Sequence, residues 1–249
     1  MNQPNRRRRP VEGGYARGEE TRLRIVRVAI RLFGRLGFES ASTREIAAEA
    51  GVNPPALQYY FDSKEGLYRA CAEHIVEQIS LAMDPVMLRA RRLLGEAVDG
   101  EALIGAYADL MGDFAGLLFC SPQGLSWAPF LAREQAGLEP DIAYPLLREG
   151  FIDPLHILCS ELLGQITGKP AQAPETLLRM MAINGQFLVF HIGRAGMLAS
   201  LGWTEIGPEH GGFIKSMVID HTRALLAADV RTAKGPFAAV RSFPGLVGR

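Results

Sequence analysis

Pro54 and Pro55 stand side by side between two helical patterns, and this pair limits what the N-terminal third can be. Proline has no N–H and a fixed φ, so it suits the first turn of a helix and breaks one further in. A helix must therefore open here, with Asn53 as its N-cap. It reads as short, Ala56-Leu-Gln-Tyr-Tyr-Phe61, because Asp62-Ser63 ends it and begins the next. Upstream, Ser42 or Thr43 can cap another short helix, and Ser42-Thr-Arg-Glu45 fits a capping box. That helix buries Ile46, Ala47 and Ala50 and stops at Gly51. Two short helices joined by a glycine turn form a helix-turn-helix, whose second helix can lie in a DNA major groove.

The rest of the chain is also helical in period. Val26, Ala29, Ile30, Phe33 and Leu36 recur at helical spacing from Gly18 on, with Arg22, Arg27, Arg31 and Arg35 between them, and Gly37 ends the run. A fourth helix is expected from Lys64 to about Met83, with Leu67, Cys71, His74, Ile75 and Ile79 on one face. Further helical segments are predicted at roughly 85–98, 101–119, 122–136, 139–166, 174–200 and 207–228. Alternating strand patterns and internal repeats are absent, so the expected class is all-α: an N-terminal three-helix helix-turn-helix domain and a C-terminal helical bundle. The expected division is 1–17, a flexible basic arm; 18–80, the DNA-binding domain; 81–228, an effector-binding and dimerisation domain; and 229–249, a flexible tail. The Arg6–Arg9 run reads as a solvated tail, with minor-groove entry as the alternative.

Composition adds little. Lys plus Arg and Asp plus Glu both number 27, although residues 1–80 carry 13 basic against 10 acidic side chains. That bias has the sign expected of a DNA-binding end. Cys71, Cys120 and Cys159 lie far apart in apolar runs and read as reduced core thiols, not as a disulfide framework. Neither a signal peptide nor an apolar run of about 20 residues is evident, so cytoplasm is the expected location and no membrane partner is expected.

The outer side of the helix-turn-helix offers Thr43, Arg44, Asn53, Pro54, Ala56, Gln58, Tyr59 and Tyr60, over an inner face of Ile46, Ala47, Val52, Leu57 and Phe61. Gln58 has the geometry for a bidentate pair with adenine, and Arg44 can reach guanine or a phosphate. Ala56 and Pro54 can pack on thymine methyl groups. Thr43, Tyr59 and Tyr60 suit phosphate oxygens, which fix register without reading sequence. Lys64 opens the fourth helix, where ammonium and helix N-terminus together favour a phosphate. Phe61 belongs to the core, yet three successive helical residues cannot all face inward, so at least one tyrosine must point out.

The run Thr43-Arg-Glu-Ile-Ala-Ala-Glu-Ala-Gly-Val52, followed by Ala56-Leu-Gln-Tyr-Tyr-Phe-Asp-Ser-Lys-Glu-Gly-Leu67, resembles the DNA-binding domain of the TetR family of repressors. Ala29-Ile-Arg-Leu-Phe-Gly-Arg-Leu-Gly-Phe38 is similar to that family's first helix, so the resemblance covers about residues 19 to 79. Asn53-Pro-Pro-Ala-Leu-Gln58 departs from the commoner Ser or Thr early in the recognition helix, which leaves base preference open. Ala195-Gly-Met-Leu-Ala-Ser-Leu-Gly-Trp203 with Pro208-Glu-His210 resembles a CerR-type C-terminal domain. The resemblance implies a homodimer on a palindromic operator, with C-terminal helices that bind an effector and change the separation of the reading helices. Repression is the expected sign of regulation, with activation left open.

Residues 174–200 are apolar nearly all round, which predicts a helix buried on both sides, one of them against a second subunit. With the last helix it supplies an expected dimer interface of Phe190, Met197, Phe213, Met217, Val218, His221 and Leu225. Phe114, Phe119, Trp127, Phe130, Tyr144, Met180, Met181, Asn184 and Phe187 offer aromatic and Met surface for an apolar effector, each with ordinary core packing as the alternative. His156 and Cys159 are too few for a metal site, and no cofactor motif is present. Gly164-Gln-Ile-Thr-Gly-Lys169-Pro170 is one residue short of a phosphate loop and lacks its Ser or Thr. With no G-x-S-x-G or H-E-x-x-H either, the chain is not expected to be an enzyme. An all-helical enzyme and a helical adaptor that has lost DNA binding are the other classes weighed.

Overall fold

Helical period and well-placed caps set the architecture. The computed structural model describes residues 12–96 and 98–233, and among these every regular element is helical. Arg6–Arg9 and residues 234–249 of the expected tail lie outside the described residues.

The reading head is built from α1 (Glu12–Leu36), α2 (Thr43–Glu49), α3 (Pro54–Phe61) and the start of α4 (Lys64–Leu94). α1 begins six residues before the expected Gly18, so the end of the predicted arm is helical. Ser42, not Thr43, caps α2: its hydroxyl accepts from the Glu45 N–H and the Glu45 carboxylate accepts from the Ser42 N–H, a full capping box. Arg31 pairs with Glu49 at 2.8 Å and Arg24 Nε donates to the Ala50 carbonyl at 2.9 Å, which pins α2 along α1.

α4 does not stop near Met83. It runs on through Pro85 to Leu94. Proline there costs the Leu81 carbonyl its partner, but Leu81 and Pro85 both face solvent, where water can replace the bond. Met83, Val86, Met87 and Ala90 on the inner face are buried and carry the helix on through that loss.

The larger part follows as α5 (Gly100–Cys120), α6 (Pro122–Gln135), α7 (Ala143–Leu147), a π-helical turn (Arg148–Ile152), α8 (Asp153–Thr167), α9 (Pro174–Asn184), a 3-10 turn (Gly185–Phe187), α10 (Leu188–His191), α11 (Arg194–Leu201) and α12 (Pro208–Ala233). The π turn lies just before Pro154, which cannot donate the bond an unbroken α-helix needs. The predicted single helix over 174–200 is in fact three, with Gly185 and Gly193, poor helix formers, at the breaks. α12 continues past the expected end at residue 228. Lys169 does not close a phosphate loop: Gly168 is the left-handed cap of α8, and Lys169 pairs with Glu175.

α5 is long and apolar enough to cross a membrane by length and composition alone, which corrects the expectation of no such run. Here it is a core helix, with Leu103, Tyr107, Leu110, Met111, Ala115 and Phe119 buried and α4, α8 and α12 packed around it. Buried side chains form a continuous cluster from Ile25 in α1 to Leu226 in α12, so head and body share one core. Cys71 and Cys159 belong to that core, whereas Cys120 is exposed at the end of α5, against expectation. All three are free thiols.

Candidate nucleic-acid interface

Leu57 and Phe61 anchor α3 to the head, 5% and 6% exposed, while Ile46 and Ala47 do the same for α2. Val52 packs partly buried between them. Burying this stripe forces the other side of α3 outward. Tyr59 is 81% exposed, and Gln58, Asn53 and Pro54 are also exposed, with Ala56 intermediate. On α2, Arg44 is exposed and Thr43 half-buried. Of the residues expected to meet DNA, Arg44, Asn53, Pro54, Gln58 and Tyr59 therefore face outward, while Tyr60 is half-buried against the core.

Local chemistry fixes this presentation. Asn53 Oδ1 accepts from the Ala56 N–H at 3.2 Å, so it caps α3 as the sequence suggests. Gly51, at φ 65°, makes the left-handed turn between the helices. After Phe61 the chain reverses through Asp62 at φ 60°, and Ser63 caps α4 by accepting from the Gly66 N–H. The turn is tight enough that a Cβ on Gly66 would lie 2.0 Å from the Phe61 carbonyl oxygen. Tyr60 packs edge-on against Tyr59, ring centroids 5.1 Å apart, and its hydroxyl comes next to Gly18 of α1. Arg22 lies over the Phe61 ring at 5.5 Å.

Lys64 is more constrained than its sequence position suggests. Its ammonium donates to the Glu39 carbonyl at 3.1 Å and stands 4.6 Å above the Phe38 ring. An ammonium has three donors, so this fixes its position and leaves others for a phosphate. Arg17, placed by sequence in the arm, is a further basic residue at this end. It is exposed, in helical α1, one residue from the Gly18–Tyr60 contact. No local sequence signal marks it, because only the folded approach of α1 to α3 brings it to this end.

The other expected site residues scatter. Phe114, Tyr144 and Phe187 line a cavity of about 40 Å³ between α4, α5, α6, α7 and the two irregular turns, with Ile79, Leu118, Leu131, Gln135, Leu147, Phe151 and Ile152. Phe119 instead packs on Phe190, Phe130 on Tyr68, and Trp127 is buried in α6. Asn184 accepts from the Tyr107 hydroxyl at 2.9 Å and donates to the Met180 sulfur. Met181 is 53% exposed. Burial raises the Cys159 thiol to about 12, in contact with the same Tyr107–Asn184 pair, so it serves the core. Among the described residues no group of three or more His, Cys, Asp or Glu side chains is placed to hold a metal.

Of the expected interface residues, Phe213, His221 and Leu225 are exposed, Met197 and Met217 intermediate, and Phe190 and Val218 buried within the subunit. Val218 faces inward with Ile214, Thr222 and Leu226 on the ridge opposite.

Comparisons with known proteins agree with this geometry. Residues 25–71 match the model of the bacterial regulatory proteins of the tetR family, and residues 103–228 match that of the C-terminal domain of the HTH-type transcriptional dual regulator CecR. The chain is 33% identical over 215 residues to the HTH-type transcriptional dual regulator CecR of Shigella flexneri, covering 84% of this chain and 93% of that protein. Its fold resembles AibR in complex with isovaleryl coenzyme A and operator DNA, at TM-score 0.57 and 15% identity, over 81% of this chain and 97% of that one. It also resembles the fatty acid degradation regulator FadR from Bacillus halodurans, at TM-score 0.52 and 18% identity, over 83% and 94% of the two chains. With a helix-turn-helix whose outer side is exposed and a family match along most of its length, the chain belongs to the TetR family of DNA-binding transcriptional regulators, with a C-terminal domain of the CecR type.

Proposed function

We propose that this regulator is a ligand-responsive repressor that binds a palindromic operator as a homodimer through α3 and is released by a small, largely apolar effector. The observation that carries this reading is the outward face of α3, where Gln58 and Tyr59 are exposed above a buried Leu57 and Phe61. Gln58 and Arg44 read bases; Thr43, Tyr59, Tyr60, Lys64 and Arg17 hold phosphates. Residues 18–80, together with the first turns of α1 that carry Arg17, act as the reading head and 81–228 as sensor and dimer body.

Exposed apolar side chains support the dimer. Phe213 is 67% exposed and Leu225 52% on α12, with Leu178 at 68% and Met181 at 53% on α9. Large apolar groups in open water are what an isologous helical interface leaves on one subunit.

The cavity beneath Tyr144 supports the effector's character. Gln135 and Tyr144 are its polar lining residues, and no lining side chain is charged, so it suits a neutral apolar group. At about 40 Å³ it holds little more than a water, so an effector must part the walls to enter. Phe114 meets Phe151 at a tilt and Phe187 edge-on, centroids 5.0 and 5.2 Å apart. The AibR structure holds isovaleryl coenzyme A and operator DNA, so a short acyl chain is one group to try here.

Gel shift with the DNA flanking the chain's own gene tests the reading. A specific complex whose affinity falls steeply with salt, and which a neutral apolar compound dissolves, supports it. No specific complex at low salt overturns it.

A further inference from the structure

Between the cavity and the reading head lies a buried polar chain made by residues far apart in sequence. On α6, Glu134 is 5% exposed, and its carboxylate accepts a short hydrogen bond from the hydroxyl of Tyr68, a residue of α4 that is itself 1% exposed. Burial raises the Glu134 carboxyl, and the Tyr68 hydroxyl and the backbone of Tyr144 oppose the shift. Gln135, next to Glu134 on α6, and Tyr144 are both walls of the cavity.

On the head side, the Tyr68 ring meets Phe33 edge-on at 4.8 Å and Phe38 edge-on at 5.0 Å. Phe38 carries the Lys64 ammonium on its ring, and its backbone N–H donates at 2.8 Å to Glu139, a carboxylate that Arg133 of α6 grips. Hence α6 and the α6–α7 link hold the turn before α2 at two points: through the Tyr68 ring, and through the Glu139 carboxylate. A buried carboxylate in an apolar core is costly unless it is fully bonded, and an apolar pair would have filled this space without that cost.

We propose that Tyr68 and Glu134 are positioning residues that transmit the state of the cavity wall at Tyr144 to Phe38 and Lys64, and so set where the reading head sits. The relay rests on the proposed function only in treating that cavity as the effector's. Anything that parts Tyr144 and Leu147 from α6 pulls on Glu134. The bond to Tyr68 then either shifts the ring against Phe33 and Phe38 or breaks. Side-chain hydrogen bonds have a definite length, so this link converts a shift of the wall into a shift of the turn, which loose apolar packing would absorb.

A double-mutant cycle tests the relay without a known effector. Leu147→Trp overfills the cavity wall, and Tyr68→Phe removes one hydroxyl while keeping the ring contacts. The readout is hydrogen exchange of the amides from Phe38 to Glu45 in the full chain. Leu147→Trp is expected to speed that exchange about tenfold, and the increment is expected to shrink to about threefold or less in the Tyr68→Phe background. Glu134→Leu should uncouple in the same way, whereas Glu134→Gln, which keeps an acceptor oxygen, should retain the coupling. Should Leu147→Trp fail to fold, Tyr144→Ala perturbs the same wall. Equal increments in both backgrounds, or loss of coupling in Glu134→Gln as complete as in Glu134→Leu, overturn the relay. Operator binding by the unmodified chain judges the regulator reading separately: a chain that binds no operator can still show the relay, and one that binds can lack it.

Discussion

The Lys64 ammonium sits 4.6 Å above the ring of Phe38, so the side chain best placed for a phosphate is held by the turn that leads into α2. Its bond to the Glu39 carbonyl holds the same turn from the other end. Lys64 thus supports α2 beside α3, and under the proposed function it also meets a phosphate of the duplex.

Lys64→Ala is therefore expected to weaken binding to every operator variant by a similar factor and to lower the salt slope of log affinity by about 1. Lys64→Arg keeps the charge over the ring and should recover most of the affinity. Fluorescence anisotropy across a salt series measures both. A loss confined to one operator sequence would make Lys64 a base reader.

Gln58 is exposed in the middle of α3, next to the buried Leu57. Gln58→Ala should cost about 1–3 kcal/mol on the preferred operator and relax preference at one position in each half-site. Binding to a randomised operator library reads this directly. A uniform loss over all sequences would remove Gln58 from base reading.

Much of the head is legible in sequence because its signals are local. The twin prolines, the Ser42–Glu45 box, Asn53 and Gly51 each act within a few residues, and each cap or turn is found where those residues place it. The body is less legible because its decisive contacts are not local. Pro85 reads as a stop, yet burial on the inner face carries α4 through it. The apolar run over 174–200 reads as one helix, but Gln186 bonds to Thr222 at 3.0 Å and a 3-10 turn replaces helix there. Aromatic composition marks candidates for a pocket without saying which rings meet: Phe114 and Phe187 pair at the cavity, while Phe119 and Phe130 spend theirs elsewhere. The Tyr68–Glu134 bond spans 66 positions and leaves no trace in any short window.

Gly66 is required by close approach, since an added Cβ would lie 2.0 Å from the Phe61 carbonyl oxygen. Backbone cannot swing aside as a side chain can. Gly66→Ala is expected to destabilise by about 1–3 kcal/mol and to loosen α3 against α4, so operator affinity should fall with thermal midpoint. Differential scanning calorimetry and anisotropy on the same sample check the pair. An unchanged midpoint would mean that the α3–α4 turn has slack.

Two histidines give stability a pH dependence. Burial lowers the pKa of His74, with Arg27 and Arg22 acting in the same direction and Glu77 against them, and its Nδ1 is buried with no hydrogen-bond partner. Burial also lowers His156, opposed by Asp153. Below the ordinary value of 6.5 the unfolded chain takes up protons that the folded chain refuses, so stability falls as pH drops through 6.5, until the folded histidines also protonate. Glu134, raised by burial, acts with the opposite sign, its contribution being present at low pH and lost as pH rises through its folded pKa. The urea midpoint should thus be lower at about pH 5.5 than at about pH 7.5, with a smaller difference in His74→Gln. A pH difference in His74→Gln as large as in the parent chain would contradict a lowered His74.

Phe213 and Leu225 are more than half exposed on α12, while Val218 and Leu226 pack inward. Placing a carboxylate at either position leaves the subunit's own core untouched and puts an unpaired charge into any interface that covers this face. Phe213→Glu with Leu225→Glu is therefore expected to yield a folded monomer with an unchanged helical signal, where the parent chain is expected to sediment as a dimer at micromolar concentration. The monomer should also lose most of its affinity for a palindromic operator and keep weak binding to a half-site, because one reading head forfeits the second head's effective concentration. Analytical ultracentrifugation and anisotropy on full and half operators separate these outcomes. A dimer that survives both substitutions would place the two-fold axis on another face and leave the apolar stripe of α12 for a different partner.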